Sequence, residues 1–382
     1  MIDLAGTWSL SDESGEYRAD MAVPGDGISA LHAAGLIADP YWGQNEYGLR
    51  WISKRDCTIR REVALDRTDL ELVIDMLDTV AEVQVNGVTV LRADSMFRQQ
   101  RADVSRAAKV GANEIEITFR SPVLEAAARQ AAQPFYIPYS KNNCPIPNGN
   151  MLRKPQCDFG WDWNIALAPF GVYEGIRLEP KRAVRIAGII VSQRHEGGRV
   201  SVSVMAQIEG AAEGATVRFA LAGVTGEAPV TGGEATATLS LDAPDLWWPN
   251  GLGAQALHEL IVTLGTETAT RRIGLRDLRL LTTPDATGAR FALSVNGREV
   301  FCKGANWIPA DALAGRISRE GVRDLLQSAR DANMNMIRIW GGGRYEPDWF
   351  YDLCDEMGLM VWQDFMFACH LYPATDDFLA EI

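Results

Sequence analysis

No run of about 18 consecutive apolar residues occurs in this 382-residue chain, so no membrane-spanning helix is expected. Positive charge is also short. The 37 Lys and Arg stand against 50 Asp and Glu, a net charge of −13, which argues against a nucleic-acid partner held through its phosphates. The N-terminus, MIDLAGTWSLSDESGEYR, has neither a basic n-region nor an apolar h-region, so no secretory leader is read. Six scattered cysteines (Cys57, Cys144, Cys157, Cys302, Cys354, Cys369) include no CxxC pair. That pattern speaks against a zinc or redox motif and suits thiols in a cytoplasmic protein. His32, His195, His258 and His370 stand apart, so no metal and no cofactor is implied, and none is given a role. Gly341-Gly342-Gly343 has no adjacent Lys-Ser/Thr and is not a phosphate-binding loop. No GxSxG nucleophile elbow occurs.

What is present is a globular composition, 47% hydrophobic and 23% charged, on a chain long enough for two or three domains. Residues 1–180 read as strands and turns. The clearest is Val83, Val85, Asn86-Gly87, Val88, Val90, a hairpin signal, followed by the alternating Ile115, Ile117, Phe119. They predict a β-sandwich. Residues 181–275 hold strictly alternating strands, GRVSVSVMAQI and ATATLSLDAP, which predict an immunoglobulin-like β-sandwich.

From residue 276 the period changes. EVFCKG predicts a strand running out into Gly304-Ala305-Asn306-Trp307. Val322, Leu325, Leu326 and Ala329 then form a helical stripe behind the N-cap Ser318. MNMIRIW predicts a second strand. Phe350, Leu353, Cys354 and Met357 mark a second helix between Pro347 and Gly358, and LMVWQDF a third strand. This order implies parallel pairing, the first three βα units of a barrel. Three such units neither close a barrel nor cover both faces of a parallel sheet. The chain is therefore expected to be a portion of a longer protein, with the rest C-terminal.

Functional groups in βα architectures gather at strand C-termini. Those ends here carry Asn306 and Trp307, Arg338 and Trp340, and Asp364. Trp349 and Trp362 read as core aromatics. Trp340, before three glycines that admit a close approach, reads as a ligand contact. Asp364 is open between ligand contact and a bond to a neighbouring loop. Arg338 is open between a catalytic and a structural carboxylate. A further segment, CDFGWDWN at 157–164, is either a strand with a buried aromatic face or a loop framing Asp162 with flat rings. Trp, Asp, Asn and Arg together suit a sugar, whose C–H faces stack on rings and whose hydroxyls need polar partners.

These motifs resemble glycoside hydrolase family 2, and within it the β-mannosidases. The resemblance runs through LAGTWSL, VPGD, DPYWGQNE, MLDTVAEVQVNG and Met96-Phe97-Arg98. It continues through LRKPQCDFGWDWNIALAPFGVYEGIRLE, LWWPNGLGAQALHEL, RRIGLRDLRL, KGANWIPAD, RIWGGGRYE and VWQDFMFACHLYP. It implies a jelly-roll (galactose-binding-like) β-sandwich at 1–180 and an immunoglobulin-like β-sandwich at 181–275. The start of a (β/α)₈ TIM barrel follows at 276–382, a multidomain β plus α/β architecture.

The implied activity is exo-acting, retaining removal of terminal β-D-mannose from an oligosaccharide or glycan. Such hydrolysis needs two carboxyl groups about 5 Å apart. The resemblance makes both glutamates, at the fourth and seventh barrel strands, the acid/base in an Asn-Glu pair. That puts both beyond residue 382 and leaves the chain inactive alone. It implies substrate contacts from Trp161, Asp162 and Trp340, and also from Asn306, Trp307 and Asp364. Asn150 and Arg153 are implied to support the loop, and Trp163 to pack beneath it. Asn164 stands where the family usually has glycine. Two other readings are a non-catalytic carbohydrate-binding protein and another family-2 exo-glycosidase, acting on β-galactoside, β-glucuronide or glucosaminide. The FGWDW loop argues against the latter.

Overall fold

The computed structural model describes residues 1–382. Within residues 1–180, an antiparallel sheet runs in the order Arg18–Val23, Gly6–Asp12, Cys57–Leu65, Gly111–Phe119, Ala81–Val85, Val88–Ala93. A four-stranded sheet runs Ile2–Asp3, Ile176–Pro180, Leu70–Ile74, Gln100–Asp103. Ile115, Ile117 and Phe119 point into a 31-residue core with Trp8, Ile59 and Val83. Each such buried side chain contributes on the order of 1.5–3 kcal/mol. The hairpin turn is set by Asn86 (φ 51°) and Gly87 (φ 78°), both left-handed as a two-residue type I′ turn requires.

A second sandwich faces Val184–Glu196, Arg199–Gly210 and Glu234–Asp242 against a four-stranded sheet of Val224–Pro229, Thr216–Leu221, Leu257–Leu264 and Glu267–Gly274. Val200, Val202, Val204 and Ala206 alternate into its core, as their period of two dictates.

The strand expected over EVFCKG is broken: Glu299 and Val300 belong to a hairpin strand, 301–303 are not in a strand, and Gly304 opens the next one. Asn296 (φ 51°) and Gly297 (φ 78°) make a second hairpin turn. It joins Ala292–Val295 to Arg298–Val300, in a small antiparallel sheet with Leu278–Leu281. Pairing stops at Val300, and Phe301 is 84% exposed. The first parallel strand is β1 (Gly304–Trp307), followed by α1 (Arg319–Asp331), β2 (Met336–Ile339), α2 (Asp348–Met357) and β3 (Met360–Gln363). β2 pairs parallel with β1 and β3, so Asn306, Arg338 and Trp362 lie side by side.

Ser318 Oγ caps α1 by accepting from the Gly321 N–H (3.1 Å). Val322 and Leu326 are buried, but Leu325, placed in the same stripe by spacing, is half exposed. All four apolar residues expected on one face of α2 are buried, and Gly358 (φ 74°) ends that helix.

Two clamps join the parallel sheet to the sandwiches. Asn250 Nδ2 donates to the Arg330 and Met334 carbonyls (3.0 and 2.9 Å) at the C-terminal end of α1. Trp247 Nε1 donates to the Asp355 carbonyl (2.8 Å). On the other side Leu313, from the segment after β1, is wholly buried in the core of the first sandwich.

Candidate active site

Residues 157–164 are not a strand. Gln156–Phe159 forms a single 3₁₀ turn, and the chain reverses at Gly160 (φ 102°). A side chain there is excluded twice, by that φ and by Pro145, whose Cδ lies 2.5 Å from where a Cβ would sit. Trp161 and Asn164 then close a turn with reciprocal backbone hydrogen bonds of 3.3 Å. Asn164 holds it down, since Nδ2 donates to the Cys157 carbonyl (2.9 Å). The Ala166 N–H donates to Glu46 Oε2 (2.9 Å). Asp162 and Trp163 are lifted into solvent at the turn's tip.

The turn meets the end of β2. The Trp161 ring stands edge-on to Trp340 at 4.8 Å, and Trp163 does the same at 5.6 Å. Such pairs add about 0.5–1.5 kcal/mol beyond their burial. Trp163 therefore does not pack beneath the loop. It is 43% exposed and forms part of the aromatic face. The glycines after Trp340 are buried and make room for the protein itself, not for a ligand. A Cβ on Gly342 would fall inside the Trp340 ring, and the Gly342 carbonyl accepts from the Cys157 N–H (3.0 Å).

Beside the aromatic face runs a polar chain. Arg338 donates to both oxygens of Asp364 (3.1 and 2.5 Å) and to Asn306 Oδ1 (3.2 Å). The Gly341 N–H donates to Asp364 Oδ2 (3.1 Å). Asp364 is thus committed to Arg338 and the glycine turn, and it orients the guanidinium rather than standing free. Trp307 turns away. Its Nε1 donates to Glu346 Oε1 (3.0 Å) and its ring packs on Phe350 (5.1 Å), so it joins the helix core and not the aromatic face. Trp362, expected in the core, is 47% exposed: its neighbour Val361 takes the place against the helix core, and the Trp362 ring lies near Phe291 (5.8 Å). Trp349 is half-buried, with Nε1 toward Glu174 Oε2 (3.4 Å).

A turn from a β-sandwich thus meets an aromatic and polar cluster at parallel strand ends, and similarity to known proteins settles the family. Residues 8–174 match the family described as glycosyl hydrolase 2 galactose-binding domain-like, and residues 177–276 match glycosyl hydrolases family 2. The chain belongs to glycoside hydrolase family 2. A β-mannosidase of Capra hircus is 33% identical over the whole of this chain. The crystal structure of a β-D-mannosidase from Dictyoglomus thermophilum superimposes over all of it, with a TM-score of 0.91 at 32% identity. An exo-chitosanase of Amycolatopsis orientalis shares the fold at 18% identity, with a TM-score of 0.69 over 94% of this chain and 42% of its own. The chain spans about half the length of the relatives it matches, 47% of the goat protein and 49% of the Dictyoglomus enzyme.

Beneath the site of this family-2 chain lie groups of two kinds. Asn150 and Arg153 hold the segment after β3. Asn150 Nδ2 donates to the Leu371 carbonyl (2.7 Å), and Arg153 donates to the Met366 carbonyl (3.1 Å). The Arg153 guanidinium also lies against Phe97 and Phe367 (4.8 and 4.9 Å). Neither faces the aromatic surface directly. The segment they hold carries His370, for which the sequence offered no signal. Its ring lies edge-on to Trp161 (5.9 Å), and Nδ1 accepts from the Ser140 N–H (2.9 Å).

The second kind is a buried ion cluster. Lys154 Nζ bonds Asp78, Asp158 (2.8 Å) and the Pro169 carbonyl (2.7 Å). Tyr173 OH donates to Asp78 (2.7 Å). One cation serves two carboxylates. Burial outweighs Lys154 and pushes the Asp158 carboxyl up to about 6.

Burial acts oppositely on His370, bringing it down to about 4. With its folded value below the unfolded one, His370 contributes stability that is complete above about 6.5 and is lost as pH falls through 4. Asp158, with its value raised, contributes stability that is present at low pH and lost as pH rises through 6. The two oppose each other across the same window. Replacing His370→Gln is therefore expected to narrow the stability gap to the parent protein by about 1–2 kcal/mol between pH 7 and 4, after allowing for solvent around the half-buried ring. Urea denaturation at both pH values checks it, and a gap that does not vary with pH would contradict it.

Proposed function

We propose that this chain supplies the sugar-contacting N-terminal portion of an exo-acting retaining β-mannosidase, which removes terminal non-reducing β-D-mannose from an oligosaccharide or glycan. The observation that carries this reading is the Trp161–Trp340–Trp163 face beside Asp162 and the Asn306–Arg338–Asp364 chain. Flat rings receive the C–H face of a pyranose, and the exposed Asp162 and Asn306 are placed for hydroxyls. Two relatives named β-mannosidases, at 33% and 32% identity over the whole chain, favour mannose over other family-2 sugars.

Retention requires two carboxyl groups about 5 Å apart. Asp364 is engaged by Arg338 through both oxygens, so the proposal takes the acid/base and the nucleophile from glutamates outside residues 1–382. In it, this chain binds and orients while those residues do the bond-making. The six free thiols suit the cytoplasm, which fractionation of the source cells tests.

The test is hydrolysis of aryl glycosides by this chain and by a form extended through a complete barrel. The extended form is expected to cleave the β-D-mannoside with retention, at least about tenfold faster than the β-galactoside or β-glucuronide, and the 382-residue chain to cleave none. Trp340→Ala in the extended form should lower kcat/KM about 100-fold. Robust cleavage by the chain alone, or a preference for galactoside, would sink the proposal.

A further inference from the structure

The loop from Asp39 to Gln44 and the short helix Asn45–Leu49 that follows it leave large rings in solvent. Trp42 is 76% exposed and Tyr47 60% exposed, and Gln44 between them is exposed as well. Rings of this size ordinarily find cover in a folded chain, and a group of them marks a contact surface.

The loop is held firmly. Asn45 Nδ2 donates to the Asp39 carbonyl (2.9 Å), the Tyr41 N–H to Asp39 Oδ1 (3.0 Å) and the Asn45 N–H to the Trp42 carbonyl (3.1 Å). It is also tied to both borders of the aromatic face. On one side Glu46 accepts from Ala166, at the exit of the turn that carries Trp161 and Trp163. On the other, Tyr41 OH bonds Asp311, and the Arg316 guanidinium lies over the Tyr41 ring (5.1 Å). In that same segment, Pro309 abuts Gly343, just after Trp340. The segment that carries the exposed rings is therefore anchored to the chain on both borders of the aromatic face.

We propose that Trp42, Gln44 and Tyr47 continue the surface from Trp163 as a second carbohydrate subsite, which stacks the sugar unit adjoining the terminal one. This rests on the reading of the Trp161–Trp340–Trp163 face as the terminal-sugar site. The ligand class is a β-linked oligosaccharide of two or more units. An extended chain of equatorially linked pyranoses presents successive C–H faces, which the rings receive, while the Gln44 amide meets ring hydroxyls.

Isothermal titration of the protein with mannose, β-1,4-mannobiose and β-1,4-mannotriose tests it. The trisaccharide is expected to bind about tenfold or more tighter than mannose. Trp42→Ala and Tyr47→Ala should each weaken trisaccharide binding about 3–10-fold and leave mannose unchanged. Both positions are on the surface, so folding is not at stake, and equal thermal midpoints confirm that.

Equal affinity for all three sugars, absence of any binding, or an equal loss for mannose and trisaccharide in Trp42→Ala overturns the subsite. A change of oligomeric state in Trp42→Ala without a change in sugar affinity also overturns it and makes the rings a protein contact. Trp340→Ala separates the two proposals. Trisaccharide binding that needs Trp42 but ignores Trp340 keeps the subsite and sinks the terminal-sugar reading.

Discussion

Replacing Lys154 by methionine is expected to cost about 3–5 kcal/mol of folding stability at pH 7. The side chain is wholly buried and is the cation shared by Asp78 and Asp158. Methionine fills a similar volume but leaves both carboxylates without a positive partner, in surroundings that already push Asp158 to about 6. They respond by taking up protons, and their pKa values rise further. With folded values above unfolded ones, the variant's deficit is largest at high pH and shrinks as pH falls toward 5. Denaturant titrations at pH 7 and pH 5 read both the size and the slope. A loss below about 1 kcal/mol at pH 7, or one that grows on acidification, would show that Lys154 does not neutralise this pair. Converting all three members to Asn, Met and Asn should recover much of the deficit, because no charge is then stranded.

Gly342→Ala is the second substitution with a large effect, and it acts on the site. The added methyl would occupy the Trp340 ring's own space, so the indole has to leave. It would then part from Trp161 and Trp163, and the aromatic face comes apart although no residue of it has changed. Stability is expected to fall by about 1–3 kcal/mol, the usual range for overpacking. Mannose affinity should fall as far as in Trp340→Ala, and the near-UV circular dichroism of the tryptophans should change with it. Retained affinity with an altered Trp340 signal would show that the ring's position is immaterial to the sugar.

The fold was legible wherever local period and turn chemistry agreed with the pairing. Asn86-Gly87 and the alternation of Val200 to Ala206 are such places. EVFCKG misled because its apolar content fits a strand, while Asn296-Gly297 a few residues earlier had already committed Val300 to a hairpin. At the site, Trp161 and Trp340 could be read from rings at a loop and a strand end, and they are in contact. Trp163, Trp307 and Trp362 could not, because which way a ring turns is decided by partners distant in sequence, such as Trp340 or Glu346 and Phe350. His370 and the Lys154 cluster depend entirely on such contacts. No spacing within the chain announces that Asp78 and Lys154 share one buried site.

The placement of Leu313 bears on how the chain is made. Its side chain completes the core of a sandwich whose own strands end at Pro180. During synthesis from the N-terminus, that core is left with a gap until more than 130 further residues have left the ribosome. The first sandwich can collapse early, but it reaches its final packing only when the third segment arrives. Maturation of the first sandwich therefore waits on the segment that bears the strand-end half of the aromatic face.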